Sequence, residues 1–217
     1  DYSKAIALDP KNPIRYTKRA FLYRAQEKFE LALADYSKAI ALDPENPGRY
    51  SQRAYFHEDL DEENKAFLDY SKAIELEPEN AKNWYDRGDF HINYANYKEA
   101  LENLEEALKI DPSYVDAINW IGVIYEEQGK IDLAIETYER GIALEKTAPK
   151  DAAYCYSNRA SIYKDQEKFE LALADYSKAI ALDPKNPRWY STRAYFHEAL
   201  DEENKAFLDY SKAIELE

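Results

Sequence analysis

The sequence contains no methionine, one cysteine, three histidines and five glycines in 217 residues. Each scarcity removes a class of function. A lone thiol, Cys155, cannot form an internal disulfide or build a cysteine metal site. No Gly-rich phosphate loop, nucleophile elbow or His–Glu metal motif occurs, so catalysis is not expected and no cofactor is implied. No uncharged apolar run approaches the roughly 20 residues that a membrane-spanning helix needs, so membrane insertion is excluded. Cations are outnumbered: 29 Lys and Arg stand against 43 Asp and Glu, a net charge of −14. Affinity for a phosphate backbone comes from cations that release counterions, so nucleic acid is not an expected partner.

What is abundant is tyrosine, 20 residues of it, and it recurs in long repeated phrases. Glu27 to Pro44, EKFELALADYSKAIALDP, returns unchanged at Glu167 to Pro184, and Asp61 to Glu77 returns at Asp201 to Glu217. Both offsets are 140 residues. A shorter offset of 34 carries the segment from Asp35 to Ile40 onto Asp69 to Ile74, and back onto Asp1 to Ile6. The period is therefore 34, with four extra residues around Pro149 to Ala152.

Within a period counted from Pro13, Tyr16, Ala20 and Tyr23 fall at i, i+4 and i+7, one face of a first helix. Ala32, Tyr36, Ala39 and Ile40 form the buried face of a second. Pro44 and Pro47 stop one helix and open the next. No β-branched run alternates with period two, so the chain is read as all-α. Ala or Gly where helices cross lets backbones approach closely, and the tyrosine rings fill the space between neighbouring pairs.

One charged pattern runs through the periods. Position 7 is Arg19, Arg53, Arg87, Arg159 and Arg193, and position 23 is Asp35, Asp69, Asn103, Asp175 and Asp209. In the fourth period both disappear together, into Ile121 and Thr137. This predicts a hydrogen-bonded pair tying first helix to second, worth about 1 kcal/mol or less at partial exposure. Common descent of the copies from one duplication is the alternative explanation for the pattern. The histidines, His57, His91 and His197, all occupy position 11, where the other periods have Tyr. Equivalent positions in adjacent pairs would lie about 10 Å apart, too far for two rings to share an ion, so they read as packing residues rather than a metal ladder. Cys155 reads as a packing or surface thiol at the start of a helix.

These positions resemble the tetratricopeptide repeat over essentially the whole chain. The large residues at position 4 are Tyr16, Tyr50, Trp84, Tyr156 and Tyr190; the small ones at position 8 are Ala20, Ala54, Gly88, Gly122, Ala160 and Ala194; Pro44, Pro78, Pro112 and Pro184 close the repeats. Glu63 and Glu203 depart from the aromatic expected at position 17, and Lys146 replaces one proline. The resemblance implies a right-handed superhelical solenoid of antiparallel helix pairs. On that reading residues 1–217 are one solenoid, with 1–12 the second helix of a truncated repeat. Repeats follow at 13–46, 47–80, 81–114 and 115–148, then an insertion at 149–152 and repeats at 153–186 and 187–217. Pro149 is expected to start a lengthened connection, Asp151 to cap the next helix, and the superhelical pitch to change locally.

The resemblance further implies a non-catalytic scaffold that binds a protein or peptide segment in a concave groove built by the first helices, at positions 2, 5, 6, 9, 12 and 13. The second repeat offers Ser51, Gln52, Tyr55, Glu58 and Asp59 there. The third offers Lys82, Tyr85, Asp86, Asp89, Ile92 and Asn93, and the fourth Asp116, Asn119, Trp120, Val123, Glu126 and Glu127. The residues favoured as ligand contacts are Ser51, Tyr55, Glu58, Lys82, Tyr85, Asp86, Asp89, Asn119, Trp120, Val123 and Glu126. Across the facing positions of these three repeats one lysine stands against seven acids, net −6, which favours a ligand with basic and apolar side chains. The alternative is that these acids merely sample a chain already at −14. The first repeat differs, with Lys18, Phe21 and Arg24. Family members that clamp acidic chaperone tails use cations on successive first helices. Here Asn158, Lys164 and Arg188 stand at the wrong positions, so that role is rejected.

A competing reading is structural self-assembly. The residues from Asp1 to Leu8 read as an orphan second helix with Tyr2, Ala5 and Ile6 uncovered, and nothing polar caps the other end, so copies could stack head to tail into an open-ended homo-oligomer. The opening residues read as mid-helix, which marks the chain as a piece of a longer polypeptide that could carry a catalytic domain elsewhere. The compartment is left open, the cytoplasm being favoured.

Overall fold

The computed structural model describes residues 2–217, so the expectation that a helix begins at Asp1 falls outside it. Every regular element among the described residues is an α-helix. In chain order they are α1 (Tyr2–Leu8), α2 (Pro13–Ala25), α3 (Phe29–Leu42), α4 (Pro47–Asp59), α5 (Glu63–Leu76), α6 (Ala81–Asn93) and α7 (Tyr97–Ile110). There follow α8 (Val115–Glu127), α9 (Ile131–Ile142), α10 (Pro149–Asp165), α11 (Phe169–Leu182), α12 (Pro187–Ala199) and α13 (Glu203–Leu216). The helices form two compact units, α1 to α7 and α8 to α13, divided between Asp111 and Pro112.

Local chemistry sets the helix ends. Asn12, Asn46, Asn80 and Asn186 each accept, through the side-chain oxygen, a hydrogen bond from the amide two residues on, at 3.1 Å. That satisfies one of the free donors at a helix start. Pro13, Pro47 and Pro187 then occupy the first turn, where a missing N–H costs nothing. At the other end of each first helix, position 15 takes a left-handed backbone: Glu27, Asp61, Ala95, Gly129, Glu167 and Asp201 all have φ between 55° and 70°. The amide of the next residue reaches back to the carbonyl at position 11, as from Lys28 to Tyr23 at 2.9 Å and from Lys130 to Tyr125 at 2.8 Å. This Schellman closure turns the chain sharply into the second helix.

In the first unit, α2 packs on α3, α4 on α5 and α6 on α7 as antiparallel pairs, and each pair leans on the next. The seam between the first two pairs holds Ala20, Ala32, Tyr36 and Phe56; the next holds Ala54, Ala66, Tyr70 and Phe90. Phe56 is fully buried, with its ring centroid 5.4 Å from that of Tyr36. Removing such a ring would cost roughly 3–5 kcal/mol. The second unit repeats the scheme with Ala160, Ala172, Tyr176 and Phe196. Its α8–α10 region is built differently, around Tyr138, Cys155, Val115 and Ile162.

The residues from Pro149 to Ala152 do not lengthen a connection. They extend α10 to 17 residues, with Ala148 at the cap position, Pro149 in the first turn and Asp151 inside it. Proline is preorganised for that place and an acid there meets the positive end of the helix dipole, so the extra residues add one turn of helix. Asp151 is therefore not a cap, and Cys155 lies well inside the helix rather than at its start. The thiol is fully buried, which pushes it up to about 12. It is a packing residue.

Candidate ligand groove

The predicted Arg–Asp pairs exist and are more buried than expected. Arg53 Nε and Nη2 donate to Asp69 at 2.7 and 2.8 Å, and Arg19–Asp35, Arg159–Asp175 and Arg193–Asp209 repeat this fork. The Asp69 side chain is only 9% exposed. Hydrogen bonding to that carboxylate raises the Arg53 pKa, whereas Arg87, which faces the neutral Asn103 amide at 2.8 Å, is lowered by burial. A third partner was not read from the sequence. Arg19, Arg53, Arg87 and Arg193 also donate to Ser3, Ser37, Ser71 and Ser177 on the preceding second helix, at 3.0–3.2 Å. The recurring Asp-Tyr-Ser phrase was the signal. These pairs fix the first helices in register and so present one face of each.

That face forms a groove of about 460 Å³ in the first unit. Its walls are Thr17, Phe21 and Arg24 on α2, Ser51, Gln52 and Tyr55 on α4, and Lys82, Asp86 and Asp89 on α6. Tyr36 and Tyr70 from α3 and α5 complete the lining. Phe21 and Tyr55 are 59% and 54% exposed, large for aromatic rings. The cations are tied down. Arg24 is held by the Asp59 carboxylate while its guanidinium lies 4.6 Å above the Tyr55 ring. Lys82 reaches both oxygens of Asp86, at 2.6 and 2.7 Å. Burial raises the Asp86 pKa, and Lys82 opposes that shift. The result is an aromatic trough rimmed by neutralised pairs.

Of the residues singled out in the sequence, Ser51, Tyr55, Lys82, Asp86 and Asp89 share this groove. Glu58 does not line it: its carboxylate accepts from the Tyr70 hydroxyl and from Asn93 Nδ2 at 3.1 Å. Tyr85 is half-buried on α6 and lies outside the lining. Asn119, Trp120, Val123 and Glu126 sit on α8 in the second unit. There Asn119 accepts from Asn158 Nδ2 at 2.9 Å, Val123 packs on the core around Tyr138, and Glu126 accepts from the Tyr138 hydroxyl at 3.1 Å. Burial raises the Glu126 pKa and the tyrosine hydrogen bond opposes it. Trp120 is half-buried. Phe21 and Arg24 were noted in the sequence as part of a deviant repeat and Tyr36 as a buried packing residue; their part in the groove emerges only when α2, α4 and α6 are set side by side.

The histidines are buried. His57 and His197 bond through Nδ1 to Glu62 and Glu202 at 2.6 Å, and the His91 Nδ1 has no hydrogen-bond partner. No group of three or more His, Cys, Asp or Glu side chains able to hold a metal occurs among the described residues. No helix among them is long and apolar enough to cross a membrane.

No curated protein matches the sequence. Among solved structures, a tetratricopeptide repeat protein from Parabacteroides merdae is 26% identical with a TM-score of 0.72, covering 99% of this chain and 84% of that one. YrrB, described as a TPR protein with an unusual peptide-binding site, is 25% identical with a TM-score of 0.55, covering 84% of this chain and 92% of its own. Yeast Tom70 superposes with a TM-score of 0.81 at 21% identity over 99% of this chain, which spans only 45% of that protein's length. Models described as tetratricopeptide repeat match residues 13–46, 48–80, 115–147 and 153–186, and one described as TPR repeat matches 96–129. With helix pairs recurring at the same interval and the small and aromatic residues of the seams in register, the chain belongs to the tetratricopeptide repeat family.

Proposed function

We propose that the chain is a non-catalytic protein-interaction scaffold whose first unit binds an extended peptide along α2, α4 and α6, and that the peptide carries apolar side chains flanked by basic ones. The observation that carries this reading is the groove itself: exposed Phe21 and Tyr55 beside cations already satisfied by Asp59 and Asp86. Apolar rings left open to water favour an apolar ligand group, since burying them releases about 25 cal/mol per Å². Asp86 and Asp89 in the lining equal Arg24 and Lys82 in number, and Asp59, bound to Arg24 at the groove edge, tips the local balance to acid. YrrB, a structural neighbour named for its peptide-binding site, supports the analogy. Titrating labelled Lys/Arg-rich and Asp/Glu-rich peptides of matched apolar content tests it. Preference for the basic series is expected; equal binding, or none, defeats the reading.

Head-to-tail assembly is a second reading with one observation in its favour. Ile214 is 73% exposed, whereas Ile74, at the same place in an identical helix, is 7% exposed beneath α6. A mass that grows with concentration in light scattering is the expected result if copies stack; a constant monomer mass removes it.

A further inference from the structure

Residues 13–77 and 153–217 are two copies of the same pair of repeats, and they differ at 14 of 65 aligned positions. None of the differences lies in a second helix: α3 equals α11 and α5 equals α13 letter for letter. Thirteen lie in first helices, and nine of those fall on the groove-facing positions 2, 5, 6, 9, 12 and 13. Those positions supply only 12 of the 65 aligned residues, so they differ in nine cases of 12 and the remainder in five of 53. Surface drift does not account for this. Glu30, Leu31, Ala34, Lys38 and Ala41 are exposed on the back of α3, and each is identical in α11. The changes are concentrated on the groove face.

We propose that the two units read different ligands through equivalent faces, and that Phe21 with the Arg24–Asp59 pair makes the first unit a seat for a bulky apolar side chain which the second unit does not accept. This rests on the peptide-binding reading above and gives it a specificity. In the first unit Asp59 neutralises Arg24, so the guanidinium presents a flat face over Tyr55 instead of a free charge. Phe21 adds a second open ring to the same lining. A side chain such as Trp or Leu can lie against these surfaces. At the equivalent places the second unit has Ser161, Lys164 and Ala199. The ring is replaced by a hydroxyl and the carboxylate by a methyl. Lys164 instead lies 5.8 Å from the Tyr195 ring and 3.4 Å from Asp165. That face keeps the exposed Tyr195 and has Ser161 where the first unit has Phe21.

The test uses the whole chain and two labelled peptides, Gly-Lys-Trp-Lys-Gly and Gly-Lys-Ser-Lys-Gly, titrated by fluorescence anisotropy. The tryptophan peptide is expected to bind one site, about tenfold or more tighter than the serine peptide, as for a ring anchor in a pocket. The double variant Phe21→Ser with Asp59→Ala installs residues that the same backbone already carries at 161 and 199, so it keeps the fold, and it is expected to erase the preference. The reciprocal Ser161→Phe with Ala199→Asp is expected to create a second site. Tryptophan preference that survives the first exchange, or two equal sites in the unaltered chain, overturns the proposal while leaving peptide binding intact. Failure of both peptides to bind overturns the proposal together with the broader reading.

Discussion

Arg53 on α4 donates to both carboxylate oxygens of Asp69 on α5, at 2.7 and 2.8 Å, and to the Ser37 hydroxyl on α3 at 3.2 Å. One planar group thus joins three helices, and its burial makes the pair worth more than a surface ion pair.

Asp69→Ala is expected to cost about 2–3 kcal/mol, because it leaves a partly buried guanidinium with only the Ser37 hydroxyl as partner. Asp69→Asn should cost roughly 1 kcal/mol, since hydrogen bonds to neutral groups are the weaker kind. Arg87 already donates to such an amide, the side-chain oxygen of Asn103. Urea unfolding of both variants checks the order; equal losses would show that the charge is irrelevant.

Position 15 gives a test of backbone strain. Ala95 holds φ at 56° with a side chain that disfavours it, and Gly129 holds φ at 70° with no atom within 4 Å of an added Cβ. Ala95→Gly should stabilise by about 0.5–1 kcal/mol and Gly129→Ala should destabilise by about 1 kcal/mol. The signs must be opposite. Shifts in the denaturation midpoint at constant slope are the readout.

Two glycines are held by packing. A Cβ on Gly122 would sit 2.7 Å from Tyr138 Cδ1, and one on Gly141 would collide with Cys155 Sγ. Gly122→Ala should cost about 1–3 kcal/mol because the Tyr138 ring is fully enclosed. Gly141→Ala alone should be similarly costly, yet be relieved when combined with Cys155→Ala. A double-mutant cycle measures that coupling; strict additivity would refute the contact.

His91 should make stability depend on pH. Burial, aided by Arg87, lowers its pKa, against smaller opposing contributions from Glu99, Glu63 and Glu102. The unfolded chain, with an ordinary value of about 6.5, takes the proton first. This contribution is therefore intact above about pH 6.5 and is lost as pH falls through the unfolded and then the folded value. His91→Tyr, the residue at position 11 in three other repeats, should flatten the stability profile between pH 7 and 5. Asn96→Glu places at 96 the acid that Glu62 offers His57, and should move the imidazole titration seen by NMR upward.

The period, the helix pairs, the seam alanines and tyrosines and the Arg–Asp forks were legible in the sequence, because each depends on spacing along one helix or between two neighbours. The residues from Pro149 to Ala152 were misread, since Pro opens a helix as readily as it interrupts one, and only Ala148 at the cap position distinguishes the two. The groove was half legible. Facing positions follow from helical geometry, but whether an acid there is available to a ligand depends on partners far along the chain. Glu58 serves Tyr70 and Glu126 serves Tyr138, while Asp59 pins Arg24 from 35 residues away. Counting charge on a face could not show which carboxylates were already engaged.

The serine contacts carry a mechanical consequence. The guanidinium that closes a helix pair also grips the pair before it, through α2, α4 and α6 in one unit and at α12 in the other. A pair cannot peel away without stripping a donor from its neighbour. Under load or mild denaturant such a stack yields as a block, with no gradual fraying from its ends.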